Sequence, residues 1–117
     1  MRVFVYWNLH KKVWSVKALE GPHKGRVITR SPWVTLRDVT PRVSEAGRQR
    51  VLREQRKNVH AGLVGELVRT TRRSDEPEGR GITYNPYKFS SFVHRDDETP
   101  YEGSPLAYLN ESQVTAA

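Results

Sequence analysis

Between Val3 and Trp7, and again between Val13 and Leu19, β-branched and aromatic residues dominate, with the polar run Asn8-Leu9-His10-Lys11-Lys12 between them. Two such runs around a short polar stretch predict a β-hairpin with His10, Lys11 and Lys12 at its tip. In the second arm Trp14, Val16 and Ala18 alternate with Ser15 and Lys17. That period assigns the first three to a buried face and the other two to a wet one. Gly21-Pro22-His23-Lys24-Gly25 then breaks the chain, and Arg26 to Arg30 and Trp33 to Val39 read as two more strands separated by Ser31-Pro32. In the second of these, Val34, Leu36 and Asp38 share one face and Trp33, Thr35, Arg37 and Val39 the other. Each face carries apolar residues, so the period leaves open which is buried.

The period changes at Val43 to His60, VSEAGRQRVLREQRKNVH. Ser44 can accept from the free amides of a first helical turn, and Glu45 complements the positive end of a helix. Gly47 costs about 1 kcal/mol relative to Ala in a helix interior, and less this close to the start. On a helical wheel Val51 and Leu52 fall on one side, with Arg50, Arg53 and Lys57 stacked nearly opposite. The expected helix ends near Lys57 or Asn58, and Val59 to Val64 returns to strand character that runs on to Val68 or Arg69.

Residues 70–81, TTRRSDEPEGRG, are charged and without period, and read as an exposed loop. Ile82 to Tyr84 and Lys88 to His94 resume the strand pattern around the turn-initiating Asn85-Pro86. A second exposed loop is expected over residues 95–105. Leu106 to Leu109 and Gln113 to Ala116 then read as strands joined by Asn110-Glu111-Ser112. The pattern as a whole predicts one α+β domain over residues 1–117, mostly antiparallel β-sheet with one prominent basic helix at about residues 44–57.

Composition narrows the class of protein. A chain of 117 residues that is 36% hydrophobic suits one modest core. Without cysteine it has neither a disulfide framework nor a thiolate metal site. No stretch approaches the roughly 20 apolar residues that span a bilayer, so a partnership with membrane is not expected. The net charge of +7 points to an anionic partner and disfavours mimicry of DNA, which needs an acidic surface.

Two clusters could meet such a partner. Arg48 lies flush with Val51 and Leu52, and a guanidinium buried there needs either a carboxylate within the fold, such as Asp38, or an anionic ligand. Arg50 and Arg53 read equally well as solvated, with Arg50 beside Glu54 at i,i+4. Lys57-Asn58-x-His60 offers a cation, an amide and an imidazole at the helix exit. The second cluster, Tyr84-Asn85-Pro86-Tyr87-Lys88-Phe89, joins stacking rings to an amide and a cation. Its tyrosines could equally cover the end of a sheet. The four histidines, His10, His23, His60 and His94, show no metal-ligand spacing, although Asp96 and Asp97 follow His94 closely. Gly62-x-x-Gly65 lacks the Lys of a phosphate loop, and no cofactor is implied.

The stretches VYWNLHKKVWSV, VSEAGRQRVLREQRKNVHAGLVG and ITYNPYKFSSFV resemble a family of small proteins of tailed bacteriophages and prophages. The likeness covers most of the chain outside the two acidic loops, which are longer and more charged than the family pattern. The resemblance implies a phage-encoded protein acting in the host cytoplasm, where proteins of this size commonly counter host defence or redirect host machinery.

Residues and resemblance together lead to one expectation and two alternatives. The expectation is a counter-defence protein that sequesters a nucleotide or cyclic nucleotide messenger, as a homo-oligomer with sites between subunits. In it Arg48, Arg50, Lys57 and Lys88 neutralise phosphates, Asn58, His60 and Asn85 hydrogen-bond base or sugar, and Tyr84 or Tyr87 stacks. One alternative is an RNA or single-stranded DNA-binding protein using the same groups. The other is a metal-independent phosphodiesterase with His60 or His10 as general base.

Overall fold

The computed structural model describes residues 1–8, 10–44, 49, 53, 61–72, 78–85 and 92–117. They form nine strands: β1 Arg2–Asn8, β2 Val13–Ala18, β3 Val27–Ser31, β4 Trp33–Val43, β5 Ala61–Arg69, β6 Arg80–Tyr84, β7 Phe92–His94, β8 Ser104–Asn110 and β9 Gln113–Ala116. All belong to one sheet in the order β3-β2-β1-β5-β4-β8-β9-β6-β7, and every pairing is antiparallel.

The α+β expectation is therefore corrected to all-β. No helix is among the elements of the described residues. Of the expected helix, Ser44, Gln49 and Arg53 are described, all three exposed; Gln49 and Arg53 have helical backbone. The other positions of residues 44–57 lie outside the described residues. Among the described residues, strands supply the core together with Tyr101, because the sheet coils back on itself. β2 and β6 stand six strand spacings apart in the sheet order, about 29 Å if the sheet were flat. Yet Trp14 of β2 lines one cavity with Ile82 and Tyr84 of β6.

A bulge settles which face of β4 is buried. Arg37 to Thr40 on β4 opposes only Glu66 to Val64 on β5, and Asp38 takes a φ of 52°. The extra residue shifts the phase by one, so that Val39 joins Val34 and Leu36 in the core while Asp38 points out, exposed. Gly65 makes room for this: a Cβ there would lie 2.9 Å from the Arg37 carbonyl oxygen. The expected alternation of β2 also fails at one position, since Ser15 is fully buried.

The two expected loops are shorter than their sequence suggests. Arg80 and Gly81 pair with Ala116 and Thr115 as part of β6, while residues 73–77 lie outside the described ones. In the second, Pro100 bridges to Val93, and the Tyr101 amide donates to the Phe92 carbonyl at 2.9 Å. Tyr101 is only 2% exposed, with its hydroxyl 2.7 Å from Ser104 Oγ. Burial raises its phenolic pKa above the ordinary value.

Candidate functional site

The β1–β2 hairpin builds one wall of a cavity. Asn8 organises its turn: Oδ1 accepts from the backbone N–H groups of His10 and Lys11, each at 3.0 Å, and the Asn8 carbonyl accepts from Lys12 N at 2.8 Å. Lys12 closes the turn with a φ of 55°. This register sets Trp7 directly opposite Trp14, their rings edge to face with centroids 5.0 Å apart. Across the cavity, β6 and β7 set Tyr84 opposite Phe92, with centroids 5.4 Å apart.

These two ring pairs, with Ala61, Gly62 and Leu63 from β5, Ile82 and Thr83 from β6, Ser112 and Val114 from the β8–β9 hairpin, and Arg95, line a half-open cavity of about 240 Å³. The lining is mostly apolar, with Arg95 as its cationic member among the described residues. Arg95 is exposed; its backbone N–H donates to the Gly81 carbonyl at 2.8 Å and its guanidinium to Gln113 Oε1. Trp14 is 7% exposed, and its buried Nε1 has no hydrogen-bond partner among the described residues.

A second charged group is committed to structure. Arg80 bridges Asp96 at 2.9 Å and Asp97 at 3.1 Å. Asp97 also accepts from Thr99 Oγ1 at 2.6 Å and Thr99 N at 3.0 Å. Those hydrogen bonds to Thr99, more than the charge of Arg80, lower the Asp97 pKa from 3.8 to about 2. Asp96 is lowered as well, chiefly by its hydrogen bond from Arg80. The two aspartates following His94 thus serve an ion pair. Among the described residues, no group of three or more His, Asp or Glu is placed to hold a metal.

Of the expected site residues, Tyr84 lines the cavity. Asn85 is half-buried at the end of β6. His10 is exposed in the hairpin turn that carries Trp7 and Trp14. Arg48, Arg50, Lys57, Asn58, His60, Tyr87 and Lys88 lie outside the described residues. Asp38, offered as a partner for Arg48, is exposed on the bulge of β4. Trp7, Trp14, Phe92 and Arg95 were not anticipated as site residues. The cross-strand opposition of Trp7 and Trp14 was the signal available for the first two, because a hairpin centred on Asn8 to Val13 pairs them. Gly62 and Gly65, rejected as a phosphate loop, are both within β5 and serve close strand packing.

Charge is distributed unevenly around this site. Residues 1–44 hold nine Lys/Arg and two Asp/Glu, whereas residues 61–117 hold six and nine. The β1–β2 wall therefore belongs to the basic part of the sheet, and the turns next to β7, β8 and β9 to the acidic part.

A small basic all-β chain with an aromatic cavity at the end of a coiled sheet is here a bacteriophage protein. The sequence model of the family described as Mycobacterium phage L5 gene 82 protein matches residues 1–117, and the chain belongs to that family. The "Gene 82 protein" of Mycobacterium phage L5 is 48% identical, over 100% of this chain and 96% of its own length. No solved structure matches the chain. No helix among the described residues is long and apolar enough to cross a membrane.

Proposed function

We propose that this phage protein binds and sequesters a nucleotide-type ligand, such as a cyclic nucleotide immune messenger, in the cytoplasm of the infected host. The observation that carries the proposal is the cavity itself, which two aromatic pairs line together with Arg95. Aromatic faces recognise bases, each stack being worth about 1–3 kcal/mol, and a cation at the rim suits a phosphate that stays hydrated. The test is capture and release. Protein incubated with a panel of mono- and cyclic oligonucleotides, separated from free ligand and then heat-denatured, should return one of them chemically unchanged. Recovery of a cleaved product would replace sequestration with phosphodiester hydrolysis, in which His10→Ala and His60→Ala locate the base.

A second reading, binding to RNA or single-stranded DNA, is favoured by the other face of β1. There Phe4 and Tyr6 lie 5.7 Å apart, with Lys17 opposite Phe4 and Arg30 next to Ser15 on the neighbouring strands. A strand laid across Lys17 and Arg30 has two phosphates neutralised, so its affinity falls more steeply with salt than that of a single nucleotide, which displaces few counterions. Filter binding of an oligonucleotide across a salt series separates the two.

A further inference from the structure

β3 ends the sheet and, among the described residues, pairs only with β2. The other side of such an edge presents backbone N–H and C=O groups, a template on which an extended chain can add a strand. The far edge of the sheet differs, because β7 is covered by its own turn. There Pro100 bridges Val93, His94 N donates to the Thr99 carbonyl at 2.8 Å, and Tyr101 N donates to the Phe92 carbonyl at 2.9 Å. Among the described residues β3 is therefore the open edge.

The side chains along it define what kind of strand fits. Arg26, just before β3, and Ile28 and Arg30 within it are exposed, while Val27 and Thr29 between them are half-buried. The register passes from Thr29 opposite Val16 to Val27 opposite Lys17, which leaves Ile28 with no residue opposite it on β2 and 37% exposed. Backbone bonds fix Arg26: its N–H donates to the His23 carbonyl and its carbonyl accepts from Ala18 N, each at 2.9 Å. Neither arginine forms an ion pair among the described residues. A chain laid along β3 thus meets cation, apolar group and cation at every second residue, and cross-strand pairing favours acid, apolar group and acid at the same spacing. A second copy does not supply that pattern. Antiparallel pairing of two β3 strands about Ile28 sets Arg26 of each against Arg30 of the other, and the one pair of acids four residues apart in this chain, Glu98 and Glu102, has Pro100 midway between them. A phosphodiester backbone fits no better, since it has no donor for the outward carbonyls.

We infer that the β3 edge takes an extended segment of a protein partner, of the pattern acidic-x-apolar-x-acidic, as an added strand. No β3 residue lines the cavity, so this inference stands apart from the nucleotide reading. The experiment is an amide NMR titration of the full chain with the synthetic peptide Thr-Glu-Thr-Ile-Thr-Glu-Thr, blocked at both ends. The comparison peptides carry Lys for both Glu, or N-methyl groups on one or the other alternate set of backbone amides. The expected result is saturable shifts and slowed hydrogen exchange at the Val27 to Arg30 amides, loss of binding with one of the two methylated peptides, and binding about tenfold weaker for the lysine peptide. Arg26→Glu combined with Arg30→Glu, both at exposed positions, should reverse the preference towards the lysine peptide. Binding that survives both methylations overturns strand addition. Equal affinity for the acidic and lysine peptides, or no binding, overturns the assigned partner. Protection of the same amides by rising protein concentration alone, or displacement of the peptide by an oligouridylate, overturns it in favour of a second copy or of nucleic acid.

Discussion

Gly62 shows how little space separates β1 from β5. A Cβ at this position would lie 2.2 Å from the Val5 carbonyl oxygen and 2.8 Å from the Phe4 ring. Gly62→Ala is therefore expected to destabilise the fold by about 1–3 kcal/mol, as overpacked sites do, and urea denaturation reads this as a lowered midpoint. An unchanged midpoint would mean that β5 can move away at no cost. Asp38 tests a conflict between propensity and conformation. Valine is the better strand residue, but at a φ of 52° a β-branched side chain is strained. Asp38→Val should cost on the order of 1–3 kcal/mol; stabilisation would show that the bulge is not where β4 places it. At Tyr101, loss of the hydroxyl leaves the partly buried Ser104 Oγ its bond to the Leu106 carbonyl. Tyr101→Phe is thus expected to cost only about 1 kcal/mol, and Tyr101→Ala about 3–5 kcal/mol for the lost ring.

At the scale of elements, the turn after β7 depends on acid in a predictable direction. Asp97 holds Thr99 as a carboxylate, and its folded pKa is depressed from 3.8 to about 2. The contribution of Asp97 to the turn is then complete above 3.8 and is lost as pH falls through about 2. A carboxyl-carbon NMR titration should place the Asp97 midpoint well below that of an unpaired aspartate; a midpoint at the ordinary value would remove Thr99 as its partner. Other elements differ in how much of them could be read from residues. The β1–β2 and β8–β9 hairpins were legible, since each couples a strand period to a polar turn. Ser15 and Val39 were not, because burial of a serine and a one-residue bulge both break the period that such reading depends on. Tyr101 was concealed by its charged neighbours: composition marks residues 95–105 as loop, while one ring anchors that loop in the core. The basic helix was given the architectural role because local capping signals are strong. The long-range pairing that closes this sheet, β1 with β5 and β4 with β8, leaves no local signal.

For the molecule as a whole, the coiled sheet brings together strands remote in sequence and makes their aromatic ends into one lined space. Tyr84, singled out for its polar-aromatic neighbourhood, lines that space. Trp7, Trp14, Phe92 and Arg95 join it only through the curvature that carries β1–β2 across to β6–β7. The excess of positive charge on the β1–β4 side suits attraction of an anionic ligand towards that opening. The central claim, that this cavity is a base-binding site of a sequestering protein, is tested most directly by calorimetric titration of the wild-type chain and Tyr84→Ala with mono- and cyclic oligonucleotides at physiological salt. The predicted result is saturable heat with at least one nucleotide, weakened in the variant by the loss of a stack worth about 1–3 kcal/mol. Absence of heat across the panel, or an affinity unchanged by Tyr84→Ala, would contradict it.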